Sequence, residues 1–277
     1  MVDEYLTNNL TTLECENPLI SIVTVVFNGI EHIEQTIQNI LNQDYKSIEY
    51  IIIDGGSTDG TIDIIRRYEN RIAHWNSEFD DGIYDAMNKG ICAATGSYVM
   101  FLNAGDSFPR RETLTQVVKE IEENNCPDVV YGSANILSEY GKLLKELKPL
   151  RFTKFNLTLF GTRTVCHQSV LIKKSITPLY STDYKLKGEL AWYYDILNVK
   201  PSPRSVRIDY PISNYLLGGV SDTLFTNDIL ERLQVVAKKK GIFACLIVIP
   251  FLLIPIVFRV KRIQVSRISR KKRLRKQ

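Results

Sequence analysis

Two hydrophobic rhythms alternate along the chain. Residues 19–27, LISIVTVVF, form a continuous β-branched apolar run that stops at Asn28-Gly29. That is the pattern of a strand buried on both faces and closed by a turn. Residues 31–43, EHIEQTIQNILNQ, then place Ile33, Ile37, Ile40 and Leu41 at helical spacing. SIEYIIID, residues 47–54, is a second buried strand, and it stops at GGSTDG. Ser57 and Thr58 can cap the helix that follows, TIDIIRRYEN at 61–70. Strand, helix, strand, helix predicts a mostly parallel sheet flanked by helices, an α/β fold.

The rhythm continues through a helix over 83–95, a central strand at 97–103 and an amphipathic helix over 111–123. A strand over 127–137 should then turn back through Tyr140-Gly141 as a hairpin. Between 150 and 220 the pattern is mixed, with a strand expected after Cys166-His167-Gln168 and one helix near 189–198. A length of 277 residues suffices for one large domain with a full core. The expected division is an N-terminal extension at 1–17, a globular domain over 18–231 and a distinct segment over 232–277.

Charge sharpens that last boundary. No Asp or Glu follows Glu231, and 14 of the 35 Lys and Arg lie beyond it, leaving 21 against all 31 acids in the body. An acidic body with a basic tail points to a polyanionic surface, membrane or nucleic acid. The five cysteines show no paired spacing, so scattered reduced thiols are expected rather than a disulfide framework or a zinc site. MVDEYLTNNL is acidic and polar, so no secretory signal is expected.

In an open α/β sheet, ligands bind beyond the carboxyl ends of the strands. Polar clusters fall there: Thr24 and Asn28 after the first strand, Asp54 and Asp59 after the second, Asn103 and Asp106 in MFLNAGDSF after the third. Glu78, Asp80 and Asp81 lie on the loop between. Converging acids repel unless a cation sits among them, and a hard divalent ion takes oxygen ligands shared with phosphates. Each acid alone is as well explained as a turn former or helix cap.

The stretches ISIVTVVFNG, YIIIDGGSTDGT, SEFDDGIYDAMNKGI, GSYVMFLNAGD, CHQSVLIKK and YLLGGVSD occur in order over roughly residues 18–222. Together they resemble the family 2 glycosyltransferases of GT-A fold, in particular the bacterial cell-surface polysaccharide branch. The resemblance implies that LNAGD stands at the DXD-type motif, with Asp106 as ligand to Mn²⁺ or Mg²⁺. Asn103 and Gly105 stand where acids often stand. It further implies nucleotide-sugar contacts from Thr24, Asn28, Asp54, Asp80, Lys89, Asn103 and Asp106. The acid that in some members reads a uracil ring is Gly55 here. Glu189 in YKLKGELAWYYDIL matches the general base, with Asp195 as the alternative, and His167 and Gln168 match an acceptor-side pair. The expected activity is inverting transfer from a nucleotide-sugar, a UDP-sugar first, to a lipid-linked saccharide in surface polysaccharide assembly. Transfer directly to polyprenyl phosphate is the close alternative.

Residues 242–258, IFACLIVIPFLLIPIVF, are 17 apolar residues without a charge. As a helix they would extend about 26 Å, short of the ~30 Å hydrocarbon core. Pro250 and Pro255 would kink it, and basic residues flank both ends. The expectation is a re-entrant or interfacial membrane-associated helical segment, with residues 238–277 on anionic headgroups at the cytoplasmic face of the bacterial inner membrane. A single span is the alternative. A binding protein without catalytic activity is the rival class. The tail lacks the interleaved aromatics of a single-strand binder, so no nucleic acid partner is expected.

Overall fold

A computed structural model describes residues 16–199, 203–217, 225–250 and 252. These hold one mixed sheet of β1 (Ile20–Val26), β2 (Ile48–Asp54), β3 (His74–Ser77), β4 (Tyr98–Phe101), β5 (Val129–Leu137), β6 (Leu143–Leu147), β7 (Val170–Lys173) and β8 (Ser205–Leu216). The spatial order is β3-β2-β1-β4-β7-β5-β6, with β8 paired to β5. The helices are α1 (Ile33–Leu41), α2 (Thr61–Arg67), α3 (Ile83–Ala93), α4 (Thr113–Glu123), α5 (Lys154–Phe160), α6 (Gly188–Val199) and α7 (Phe225–Lys240), followed by α8 over 242–250.

Alternation along the strands builds two cores, because successive side chains leave opposite faces of a sheet. Ile20, Ile22 and Ile52 join Ile33, Ile37 and Ile40 of α1 and Val117 and Ile121 of α4 on one face. Val23, Val25 and Ile51 join Met87 and Ile91 of α3 and Trp192 and Ile196 of α6 on the other.

Strand direction decides where the site forms. β1, β2, β3 and β4 run parallel, and the order turns around between β1 and β4. That reversal opens a crevice at their carboxyl ends. β7 runs antiparallel to β4, so its beginning lies beside β4's end. β8 is parallel to β5, which is antiparallel to β7, so β8 also ends on that rim.

Three expectations need correction. β3 and the long β8 were not anticipated: β3 is a short polar strand at the sheet's edge, and β8 lies in the mixed stretch where no period stands out. The boundary expected at 231/232 falls inside α7, whose Val235 is fully buried in the main core. Cys126 is disulfide-bonded, against the reading of reduced thiols, while Cys92, Cys166 and Cys245 are free. Among the described residues no helix is long and apolar enough to cross a membrane. Most of the proposed extension 1–17, the apolar run beyond 252 and the basic tail lie outside the described residues.

Candidate active site

The rim has two halves. On the β1–β2 side, polar groups tie loops together. The Asp54 carboxylate is fully buried and accepts from Gly56 N at 3.0 Å, Ser57 N at 2.9 Å, Ser77 Oγ at 2.6 Å and the Ser57 hydroxyl. Thr24 is also fully buried; its hydroxyl donates to Leu102 O at 2.7 Å and accepts from the Tyr50 hydroxyl. Its side chain therefore supports the strand end and does not face the rim. Asn28 adopts a left-handed backbone, φ 49°, and its Oδ1 accepts from Thr58 N at 2.9 Å. Asp59 caps the start of α2 through Thr61 and also holds Ile30 N. Lys89 reaches Glu78 at 3.0 Å, Asp85 at 3.4 Å and Phe79 O at 3.0 Å. Asp54, Asp59, Asp80, Glu78 and Asp85 are thus engaged by hydrogen bonds or by Lys89, and Lys89 staples the 78–85 loop rather than facing outward.

What this half leaves open is aromatic. Phe27 is 65% exposed and Phe79 is 82% exposed. A Cβ on Gly55 would stand 3.4 Å from the Phe27 ring and 2.5 Å from Asp80 Oδ2. Any side chain at 55 would have to displace the end of the Asp80 side chain. Nothing in the sequence pattern singled out the two phenylalanines, whose signal is exposure.

The β4–β7 side is different. The short turn His167–Ser169 leads into β7 and meets the end of β4. Gln168 Nε2 donates to Asp106 Oδ2 at 3.1 Å, and Leu216 N, from the end of β8, donates to Asp106 Oδ1 at 3.2 Å. Thr36 on α1 accepts from Gly105 N and donates to Asp106 O, fixing the loop. Asp106 is only 4% exposed, and burial outweighs its hydrogen bonds and lifts its carboxyl to about 7. Beside it, Asn103 Oδ1 is buried and has no hydrogen-bond partner among the described residues.

His167 joins this pair to Glu189. Its Nε2 lies 3.5 Å from Asn103 Nδ2 and its Nδ1 3.7 Å from Glu189 Oε1. With Nε2 accepting, the ring proton sits on Nδ1, toward the carboxylate. Burial pushes the His167 pKa down, against the pull of Glu189, which favours the neutral ring. Glu189 Oε2 accepts from the Tyr84 hydroxyl at 2.9 Å. Tyr84 can approach because residue 188 is glycine: a Cβ there would stand 2.6 Å from the Tyr84 ring. Tyr84 stacks on Tyr180 at 5.4 Å, and Tyr180 on Trp192 at 4.4 Å, a rigid column beneath the carboxylate. Asp195 stands six residues beyond Glu189 on another face of α6 and is bound to Lys239 of α7.

Among the described residues no three His, Cys, Asp or Glu side chains gather into a metal cage. The oxygens present nevertheless fit a hard divalent ion. Asp106 is a carboxylate short of positive charge, and Asn103 Oδ1 is an acceptor without a donor. Mg²⁺ and Mn²⁺ are held by one or two such protein ligands plus water and phosphate oxygens.

A family model described as "Glycosyl transferase family 2" matches residues 21–178. A PGL/p-HBAD biosynthesis glycosyltransferase of Mycobacterium bovis (strain BCG / Pasteur 1173P2) is 29% identical over 228 residues, covering 78% of this chain and 84% of its own. An uncharacterized glycosyltransferase of Mycobacterium tuberculosis is 37% identical over 162 residues, 57% of this chain and 60% of its own. Among solved structures, S. aureus TarS 1–349 superimposes with a TM-score of 0.61 at 16% identity, over 79% of this chain and 64% of that one. TarS 1–349 is also known with UDP and with UDP-GlcNAc. The mannosyltransferase PcManGT from Pyrobaculum calidifontis, in complex with GDP-Man and Mn²⁺, gives a TM-score of 0.59 at 18% identity, over 88% of this chain and 75% of that one.

Proposed function

The chain belongs to glycosyl transferase family 2 and is a glycosyltransferase of GT-A fold, and from that premise we propose that it transfers a sugar, with inversion, from a nucleotide-sugar to a lipid-linked saccharide at a membrane surface. The observation that carries the reading is Glu189. It is a carboxylate held by Tyr84, oriented by His167 and joined through His167 and Gln168 to the Asn103–Asp106 loop.

The acceptor hydroxyl loses its proton to Glu189 as its oxygen attacks the anomeric carbon. The bond from that carbon to the diphosphate oxygen breaks on the opposite face, and the electron pair leaves with the nucleoside diphosphate. Tyr84 occupies one carboxylate oxygen, which directs the other toward the acceptor. A positioned base of this kind contributes about 10²–10⁴-fold. Asp106 and Asn103 Oδ1 would hold a divalent ion, Mn²⁺ or Mg²⁺, which supplies positive charge to the departing diphosphate. Phe27 and Phe79 offer flat faces to a nucleobase beside Gly55, with Asp80 at their edge. TarS binds UDP and UDP-GlcNAc, so a UDP-sugar is the first donor to try.

Membrane association is part of the proposal. In α8, Val248 is buried against Val236 of α7, while Ile242, Phe243, Leu246 and Ile247 are each at least 60% exposed. Lys240 ends α7 beside this apolar ridge, next to Lys238 and Lys239, which pair with Asp183 and Asp195, and the basic tail follows in sequence. Apolar surface bordered by cations suits an interface of anionic lipids.

The test is a screen of UDP-, GDP- and TDP-sugars with each divalent metal, read as release of the nucleoside diphosphate. Release from a UDP-sugar with Mn²⁺ or Mg²⁺ is expected; no release from any donor under any condition would sink the donor assignment. Removing residues 242–277 should move the protein from the membrane pellet to the soluble fraction while donor hydrolysis survives. A truncated protein that still pellets with membranes rules out this anchor.

A further inference from the structure

α6 begins badly on its own. The residues before it, Tyr184-Lys185-Leu186-Lys187, include no Ser, Thr, Asp or Asn to cap it, and its first residue is Gly188. Glycine loses the most backbone freedom on entering a helix, and the first N–H groups of any helix lack intrahelical partners. Yet the second residue of this helix is Glu189, whose carboxylate must hold its place.

The segment that leads into the helix is held from elsewhere in the chain. The Glu231 carboxylate, on α7, accepts from Leu186 N at 2.7 Å, Lys187 N at 3.0 Å and Lys185 N at 3.2 Å. Three consecutive backbone N–H groups thus close around one carboxylate, an anion nest at the positive end of the helix. α7 is itself held in place. Arg232 Nη2 donates to Leu159 O at 2.6 Å, Val235 is buried in the core, and Lys239 is bound to Asp195 further along α6. Glu231 is also the last acid of the chain, standing where the all-basic stretch begins.

We propose that Glu231 is a positioning residue for the general base: it fixes residues 185–187, the entry to α6, and so holds Glu189 against Tyr84 and His167. This rests on the assignment of Glu189 as the base. Displacing a reacting group by about 1 Å can cost on the order of 100-fold in rate. Glu231 touches none of Tyr84, His167 or Glu189 by hydrogen bond, so its removal should act on kcat and leave donor binding alone.

The experiment uses the full chain with Glu231→Ala, Glu231→Gln, Glu189→Gln and the double variant Glu189→Gln/Glu231→Ala. Glu231→Ala should lower kcat for transfer by about 10- to 100-fold, with donor KM near the wild-type value. Glu231→Gln keeps one acceptor oxygen and should lose less; it serves as the reading should the alanine variant not fold. In the double variant, Glu231→Ala should add nothing to the loss from Glu189→Gln, since groups that act as a unit are not additive. A kcat within twofold of wild type for the folded Glu231 variants overturns the proposal. So does a further loss in the double variant, or a rise in donor KM matching the fall in kcat, because either reports a general structural role. A Glu189→Gln enzyme with near-normal kcat sinks the base assignment and the positioning with it. A dead Glu189→Gln beside an unimpaired Glu231→Ala sinks the positioning alone.

Discussion

Glu49 and Asp106 sit at opposite rims of the same sheet and have been given opposite environments. Glu49 lies at the start of β2 and accepts from the Ser21 hydroxyl, the Thr95 hydroxyl at 2.6 Å, Thr95 N at 2.8 Å and Gly96 N at 3.3 Å. Its partial burial favours the neutral acid, but those hydrogen bonds prevail and hold its pKa below the usual glutamate value. Asp106 lies past the end of β4, more deeply buried and with fewer donors, and its pKa goes up. One carboxylate is fully engaged in holding strands together; the other keeps acceptor capacity that the protein does not fill. Asp54 shows that this divide does not simply follow the rims. It stands at the carboxyl ends like Asp106 yet is satisfied like Glu49.

The strongest way to break this division is at Glu189. Glu189→Gln should lower transfer by about 10²–10⁴-fold while donor affinity, measured by calorimetry, stays put. Asp195→Asn, which weakens only a contact to Lys239, should change transfer by no more than a few-fold. If Asp195→Asn is the dead variant instead, the base has been misplaced by a turn and two-thirds of helix.

Asp106→Asn against Asp54→Asn sharpens the contrast. The first should abolish transfer with only a small change in melting temperature, because the amide sheds a charge that burial disfavours but turns its NH2 toward one of two donors, Gln168 Nε2 or Leu216 N. The second should lower the melting temperature, since a carboxylate with four donors loses its charge and one acceptor oxygen. Equal thermal effects from the two would erase the distinction. Gly188→Ala comes next: the added methyl meets the Tyr84 ring, and the overpacking should cost about 1–3 kcal/mol and lower kcat by pushing the tyrosine off Glu189. A variant as stable and active as wild type would show that the column beneath the base can yield.

The smallest effect is expected at Glu49. A pKa held low in the folded state adds stability above the unfolded value, about 4.5, and that stability is lost as pH falls through the folded value. Glu49→Gln should therefore melt slightly lower at neutral pH and show a flatter decline in melting temperature below about pH 4.5. An unchanged acid limb would mean that the four bonds contribute nothing.

Much of this was readable before any coordinates. β1, β2, β4 and most helices announce themselves through period, and the resemblance singled out Asp106, Glu189, His167 and Gln168 as members of one site. Local pattern could not say which carboxylates were already engaged. Asp54 and Asp106 both follow apolar runs; only their partners differ, and those lie far off in sequence. Tyr84 and Glu189 are 105 positions apart, and Leu216 and Asp106 are 110 apart. β8 and the Glu231 contacts were illegible for the same reason, as was the folded-in part of α7. Phe27 closes an apolar run that reads as a buried strand and Phe79 stands among loop acids, and only their exposure marks them.

If the ridge on α8 seats the protein on lipid, as proposed, it changes what a concentration means for this enzyme. A protein seated by Ile242, Phe243, Leu246 and Ile247 searches for its acceptor in a plane, while its donor still arrives from bulk water. Confinement raises the effective concentration of the acceptor without any new contact at the active site. The acceptor's apparent KM should then scale with its mole fraction in the lipid, not with its molarity. Diluting vesicles at fixed composition would leave the rate per bound enzyme unchanged, whereas diluting the acceptor within the bilayer would slow it.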